Sequence, residues 1–226
     1  MSVVNVFEKL FSKVELEINQ YIVYTATEII NFITPIFNNL LIIYIALWGI
    51  AHIRGAIQDP FKDGLTRIIK IVFVIALALN VGMYCGHITN FLLGAPSQIS
   101  SVITGAPPTF FQLDDLMSKG FELGKIAWDE GGIVSNIGMI FVAIIVWAST
   151  ILAVAYAGFL LILSKLAMVV LLAIGPIFII LILFPATQRF FEMWLGQVSN
   201  YGILTILAVA FVDLLLAIFG ALLNGI

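Results

Sequence analysis

From Gly131 to Ser164 the chain carries no charged residue, and after the single Lys165 it is charge-free again to Gln188. A bilayer core of roughly 30 Å takes about 20 residues of helix at 1.5 Å each, so this stretch predicts two membrane spans with a turn near Lys165. The same reading places spans at about 36–53, 68–93, 137–163, 166–184 and 201–223. The N-terminal arm has a different pattern. Between residues 3 and 31, Val3, Phe7, Leu10, Phe11, Val14, Ile18, Tyr21 and Ile22 recur at helical spacing, with Glu8, Lys9, Ser12, Lys13, Glu15, Glu17 and Asn19 between them. That alternation predicts an amphipathic helix lying in the interface or against a partner. It lacks the basic start, short apolar core and small-residue cleavage site of a secretory signal.

The predicted fold is therefore all-α, a polytopic bundle of about five spans in four segments. These are an interfacial arm over 1–34, a first hairpin with a basic loop over 35–93, an outer loop over 94–132 and a three-span region over 133–226. Within the outer loop, Thr109 and Gln112 have the spacing of a capping box after Pro107 and Pro108. A helix should begin there. Leu113, Leu116, Met117, Phe121, Ala127 and Trp128 fall largely on one face, and Asp114, Asp115, Ser118, Lys119, Glu122, Lys125 and Asp129 on the other, until Gly131 and Gly132. Such a helix either packs on its own bundle or presents Asp114, Asp115 and Glu122 to a partner or substrate.

Composition agrees with a life in lipid: 62% of the 226 residues are hydrophobic, 10% are charged, and the mean hydropathy is +1.15. Soluble domains carry a charged fraction nearer a quarter. The net charge of −3 includes no basic or acidic tail, so charge alone gives no reason to expect nucleic-acid binding. Orientation follows from the first loop, where Arg54, Lys62, Arg67 and Lys70 outnumber Asp59 and Asp63. That loop should be cytoplasmic. Five spans then put the N-terminus and residues 94–132 outside and the C-terminus inside.

Reactive chemistry is sparse. A membrane enzyme needs paired carboxylates, a nucleophile with its base, or a metal-binding histidine pair at workable spacing, and none is present. His52 and His87 fall near opposite ends of different spans and read as interfacial polar residues, while Cys85, in an apolar run without a partner cysteine, reads as a buried inert thiol. No enzyme activity, cofactor or metal is expected. Asp213 lies about ten residues from either end of the last span, where an aspartate costs roughly 2.5–3.5 kcal/mol on insertion scales. It must face protein or water. Gly175-Pro176 interrupts the fourth span, and the carbonyl that proline leaves without a donor needs another partner. After Pro185, the aromatic-rich run to Trp194 predicts an interfacial elbow in which Trp194 anchors the hairpin at the interface or against a neighbouring subunit, whereas Trp48 and Trp147 read as ordinary span residues.

Lys165-Leu166, Gly175-Pro176-Ile177-Phe178, Phe184-Pro185-Ala186-Thr187, then Phe190 and Trp194 resemble the core signature of TrbL-type polytopic inner-membrane subunits of bacterial type IV secretion systems. The resemblance is concentrated between about 150 and 210, and the span count and outer loop extend it loosely over the chain. It implies a non-enzymatic component of a secretion or conjugation machine in the bacterial inner membrane. Implied partners are copies of itself, the pilin and minor pilin, other inner-membrane subunits and, transiently, translocated DNA or protein. Many members of the family continue well past the fifth span, so no role of a cytoplasmic tail carries over. A small secondary transporter or ion channel is the competing reading, because a broken helix and an intramembrane acid such as Asp213 commonly mark ion or substrate sites.

Overall fold

The computed structural model describes residues 6–55, 60–105, 110–131 and 137–224, and among these there is no strand. The helices are α1 (Val6–Ile53), α2 (Pro60–Ala78), α3 (Val81–Met83), a π-helical stretch (Tyr84–Thr89), α4 (Asn90–Thr104), α5 (Phe110–Gly131), α6 (Ile137–Ala173), α7 (Gly175–Ile180), a 3-10 turn (Leu181–Leu183) and α8 (Gln188–Asn224). By length and composition three stretches can cross a bilayer: Leu16–Ile53, Ile137–Ala173 and Gln188–Asn224. Phe61–Ala78 and Val81–Thr104 make a fourth if that pair, bent by 72° at the break, counts as one span. The chain is a helical membrane protein with three to four such elements among the described residues.

Several expected boundaries move. Lys165 does not sit at a turn, because α6 continues through it to Ala173 and the chain breaks only where proline removes a backbone donor. One helix thus replaces the third span and the start of the fourth. The N-terminal arm is likewise not a separate element: α1 runs on through Pro35, and its buried stripe of Ile18, Ile22, Ala26, Ile30 and Phe37 crosses the expected boundary. Val14 and Tyr21, expected on that apolar face, are exposed. The second span breaks at Leu79-Asn80, where the Asn80 side chain accepts from the Met83 amide (3.0 Å) and so caps a new helix start. Thr109 of the expected capping box and Gly132 lie outside the described residues.

Two compact units interleave along the chain. One comprises Met1–Glu17, Leu93–Ala167 and Tyr201–Ile226, and the other Ile18–Leu92 and Met168–Asn200. In the first unit, Leu113 and Leu116 of α5 pack with Val154, Ala157 and Leu161 of α6 and with Ala208, Val209, Val212 and Leu216 of α8. Glycines let α5 lie close to α6. A Cβ at Gly120 would overlap Thr150, and one at Gly124 would overlap the Trp147 indole, whose Nε1 donates to the Phe121 carbonyl (3.2 Å). Small residues allow this backbone approach where apolar attraction between helices is weak in lipid. The expected helix over 110–131 forms, with Leu113, Leu116 and Ala127 of its expected apolar face buried but Phe121 and Trp128 exposed.

Candidate functional site

The most constrained part of the second unit is the break after α6. Had the helix continued, the amide of residue 176 would have bonded the Leu172 carbonyl one turn back, but Pro176 has no amide hydrogen. In lipid an unpaired carbonyl costs several kcal/mol. Two aromatic side chains supply donors at this break: the Tyr84 hydroxyl donates to the Leu172 carbonyl, and Trp194 Nε1 donates to the Leu171 carbonyl (2.8 Å). Tyr84 is fully buried and Trp194 is 3% exposed.

Gly175 makes this geometry possible. A Cβ there would overlap both the Tyr84 hydroxyl and the Trp194 ring, so the two aromatics can reach the break only above a bare backbone. Trp194 also lies parallel to Phe178, with ring centroids 6.0 Å apart and planes 9° apart, and packs against Phe191 at 5.7 Å. Beyond the 3-10 turn, the Thr187 hydroxyl donates to the carbonyls of Leu181 (2.9 Å) and Phe184 (3.2 Å), fixing the turn into α8. Three residues singled out from the sequence therefore meet beside Pro176, namely Gly175, Phe178 and Trp194, while Thr187 serves the next turn. Trp194 packs within its own unit, whereas the sequence predicts contact with the interface or a neighbouring subunit.

The other expected positions lie elsewhere. Phe190 is exposed on the first turns of α8. Lys165, in the interior of α6, and Asp213, on α8, belong to the first unit and are half-buried. No hydrogen bond or ion pair joins Asp213 to another described residue. On α5, Asp115 and Glu122 are exposed, but Asp114 is 8% exposed and cannot share a solvent-facing surface with them. Asp115 is paired with Lys119 at 3.1 Å, one turn on.

Sequence reading missed two features. Tyr84 drew no attention because it sits in an apolar run, and nothing local ties it to a carbonyl 88 positions later. Trp48 and Trp147 are not ordinary span residues. Trp48 Nε1 donates to Asp63 (3.0 Å) and its ring covers Gly64, while Trp147 covers Gly124 and stacks on Trp128. In the second unit Asp63 also accepts from Arg67 (2.9 Å), whose guanidinium donates to the Tyr44 hydroxyl (2.6 Å) and lies over that ring. Tyr44 in turn meets Phe184 edge-on at 5.5 Å. Cys85 is half-buried instead of fully enclosed.

Residues 41–226 match a family model described as TrbL/VirB6 plasmid conjugal transfer protein. The chain is 24% identical over 228 residues to the type IV secretion system protein VirB6 of Brucella suis biovar 1, covering 96% of this chain and 65% of that protein. It is 27% identical over 192 residues to VirB6 of Bartonella quintana, covering 81% and 58%. With the type IV secretion system protein PtlD of Bordetella pertussis it shares 26% over 171 residues, covering 72% and 37%. The chain thus spans about 65% or less of the length of these relatives.

Proposed function

We propose that this chain, which belongs to the TrbL/VirB6 family of plasmid conjugal transfer proteins, works as a non-enzymatic inner-membrane component of a type IV secretion machine. Its work is to support stalk or pilus assembly and the passage of a DNA or protein substrate. The observation that carries this reading is the match over residues 41–226, a range that includes Tyr84, Gly175, Pro176 and Trp194. The distribution of apolar surface supports it. In the most apolar windows of α6 and α8 only 17% of residues are buried, leaving long faces for lipid and for neighbouring subunits. Partners under this reading are further copies of the chain, pilin and minor pilin, and other inner-membrane subunits.

The topology proposed here keeps the basic loop after α1 cytoplasmic. If the bent pair of helices crosses the bilayer, the N-terminus and α5 lie in the periplasm. The C-terminus then shares that side, because α6 lacks the turn on which a fifth crossing and a cytoplasmic C-terminus rested. On α5, the edge bearing Asp115 and Glu122 would face partner or cargo. Reversing both to Lys should leave an inserted, folded protein, since exposed substitutions usually change stability by under about 0.5 kcal/mol. In a strain lacking the native gene, this variant should fail to restore secretion or conjugation while reaching normal abundance. Wild-type transfer by the variant would assign that edge to solvent.

A further inference from the structure

Within the second unit, a partly open groove of about 430 Å³ runs between α2, the π-helical stretch with the start of α4 (His87, Ile88, Phe91 and Leu92), the segment after the α6 break and the start of α8. Its walls are almost wholly apolar and include Phe73 and Leu77 of α2, Ile179 and Ile182 beyond the break, and Phe191 and Trp194 of α8. One end is marked by charge. Lys70 precedes Phe73 and Leu77 by one and two turns on the same α2 face, is exposed, and has no ion-pair partner among the described residues. The contacts of Tyr44 with both Arg67 and Phe184 bring this end of α2 beside the turn that leads into α8, where Gln188 and Arg189 are also exposed. Gln188 donates to the exposed Glu192 (3.2 Å), so the groove's neighbourhood on α8 is of mixed charge and Lys70 is the cation that helical register puts next to the Phe73 wall.

Size helps decide what enters. A single turn of α-helix, 5.4 Å long and 10–12 Å across, fills roughly 400–600 Å³, so the groove takes no more than about one turn of a partner helix, and the charge at its end favours a lipid over such a segment. The lining offers water a single polar side chain, His87, short of the about two to four partners an ordered water needs. We propose that the groove holds an acyl chain of an anionic phospholipid, with Lys70 facing its phosphate. The lipid thereby packs against Trp194, the residue that closes the α6 break. This inference does not depend on the secretion role.

The test uses the full chain in phosphatidylcholine vesicles carrying a trace of phosphatidylglycerol with a photoactivatable acyl chain, or the matching phosphatidylcholine probe. Adducts mapped by peptide mass spectrometry should concentrate on the α2 and α8 groove walls. The anionic probe should be favoured there by about fivefold, the strength of one lysine beside an anionic headgroup. Lys70→Gln, an exposed change, should abolish that preference while leaving labelling of the exposed Ile144 and Ile145 face of α6 unchanged. Leu77→Trp should empty the slot of adducts. Labelling of the groove no denser than of Ile144 and Ile145, equal use of the two probes, or occupation of the groove by a crosslinked protein segment would each overturn the proposal.

Discussion

Tyr84 and Trp194 act on the same helix end, where Pro176 leaves the Leu172 carbonyl without its backbone donor inside an apolar surround. Removing only the Tyr84 hydroxyl, by Tyr84→Phe, leaves the Leu172 carbonyl unpaired at a cost of about 1–3 kcal/mol. Pro176→Ala returns an amide hydrogen one turn after Leu172 and offers that carbonyl a local partner. The two changes should therefore couple. In detergent melts, Tyr84→Phe should lower the midpoint in the wild-type background and lower it much less beside Pro176→Ala. Additive effects would mean that the hydroxyl serves packing alone. The break itself was legible in the sequence, since a proline in an apolar run announces a freed carbonyl. Its partner was not, because the tyrosine that supplies the donor is remote in the chain and looks like any other aromatic in a span.

At the scale of elements, three tryptophans repeat one device. Trp48 covers Gly64, Trp147 covers Gly124 and Trp194 covers Gly175, each with its indole N–H given to an oxygen of a facing segment. Apolarity drives helix association weakly in lipid, so close backbone approach and a directed hydrogen bond hold such pairs together. Gly124→Ala and Gly175→Ala should each destabilise the purified protein by about 1–3 kcal/mol, the usual cost of overpacking. Gly49→Ala, where a Cβ meets nothing, should not. Equal melting midpoints for all three variants would remove the glycine notches from the account. Helical periodicity disclosed α5 and its apolar face because the pattern is local. It misplaced Asp114, since a face drawn on one helix ignores how far neighbouring helices wrap around it. Lys165 misled for a similar reason: a lone charge marks a span end only when nothing in the bundle accommodates it, and α6 carries it half-buried in its interior.

For the whole molecule, the count of crossings turns on the break at Leu79-Asn80. With Cys85 replaced, single cysteines at Lys62 and Lys119 should label from opposite sides of the membrane if the bent pair crosses. Labelling of both from one side would make that pair re-entrant and move α5 to the side of the basic loop. The class of the molecule, helical and lipid-embedded, follows from charge spacing and helix length alone. Its division into interleaved units does not, because α1, α4, α6 and α8 each contribute to both and no composition change marks the boundaries.

Under the proposed function this chain is an assembly component of a secretion machine and does not work alone on a solute. Affinity capture of the tagged full chain from its native membrane in mild detergent, with the recovered proteins identified by mass spectrometry, tests this most directly. The account predicts co-recovery of other type IV secretion subunits in fixed proportion to the chain, unchanged by Asp213→Asn. Recovery of the chain without them, together with solute flux through reconstituted liposomes that Asp213→Asn abolishes, would contradict it and make the molecule a transporter.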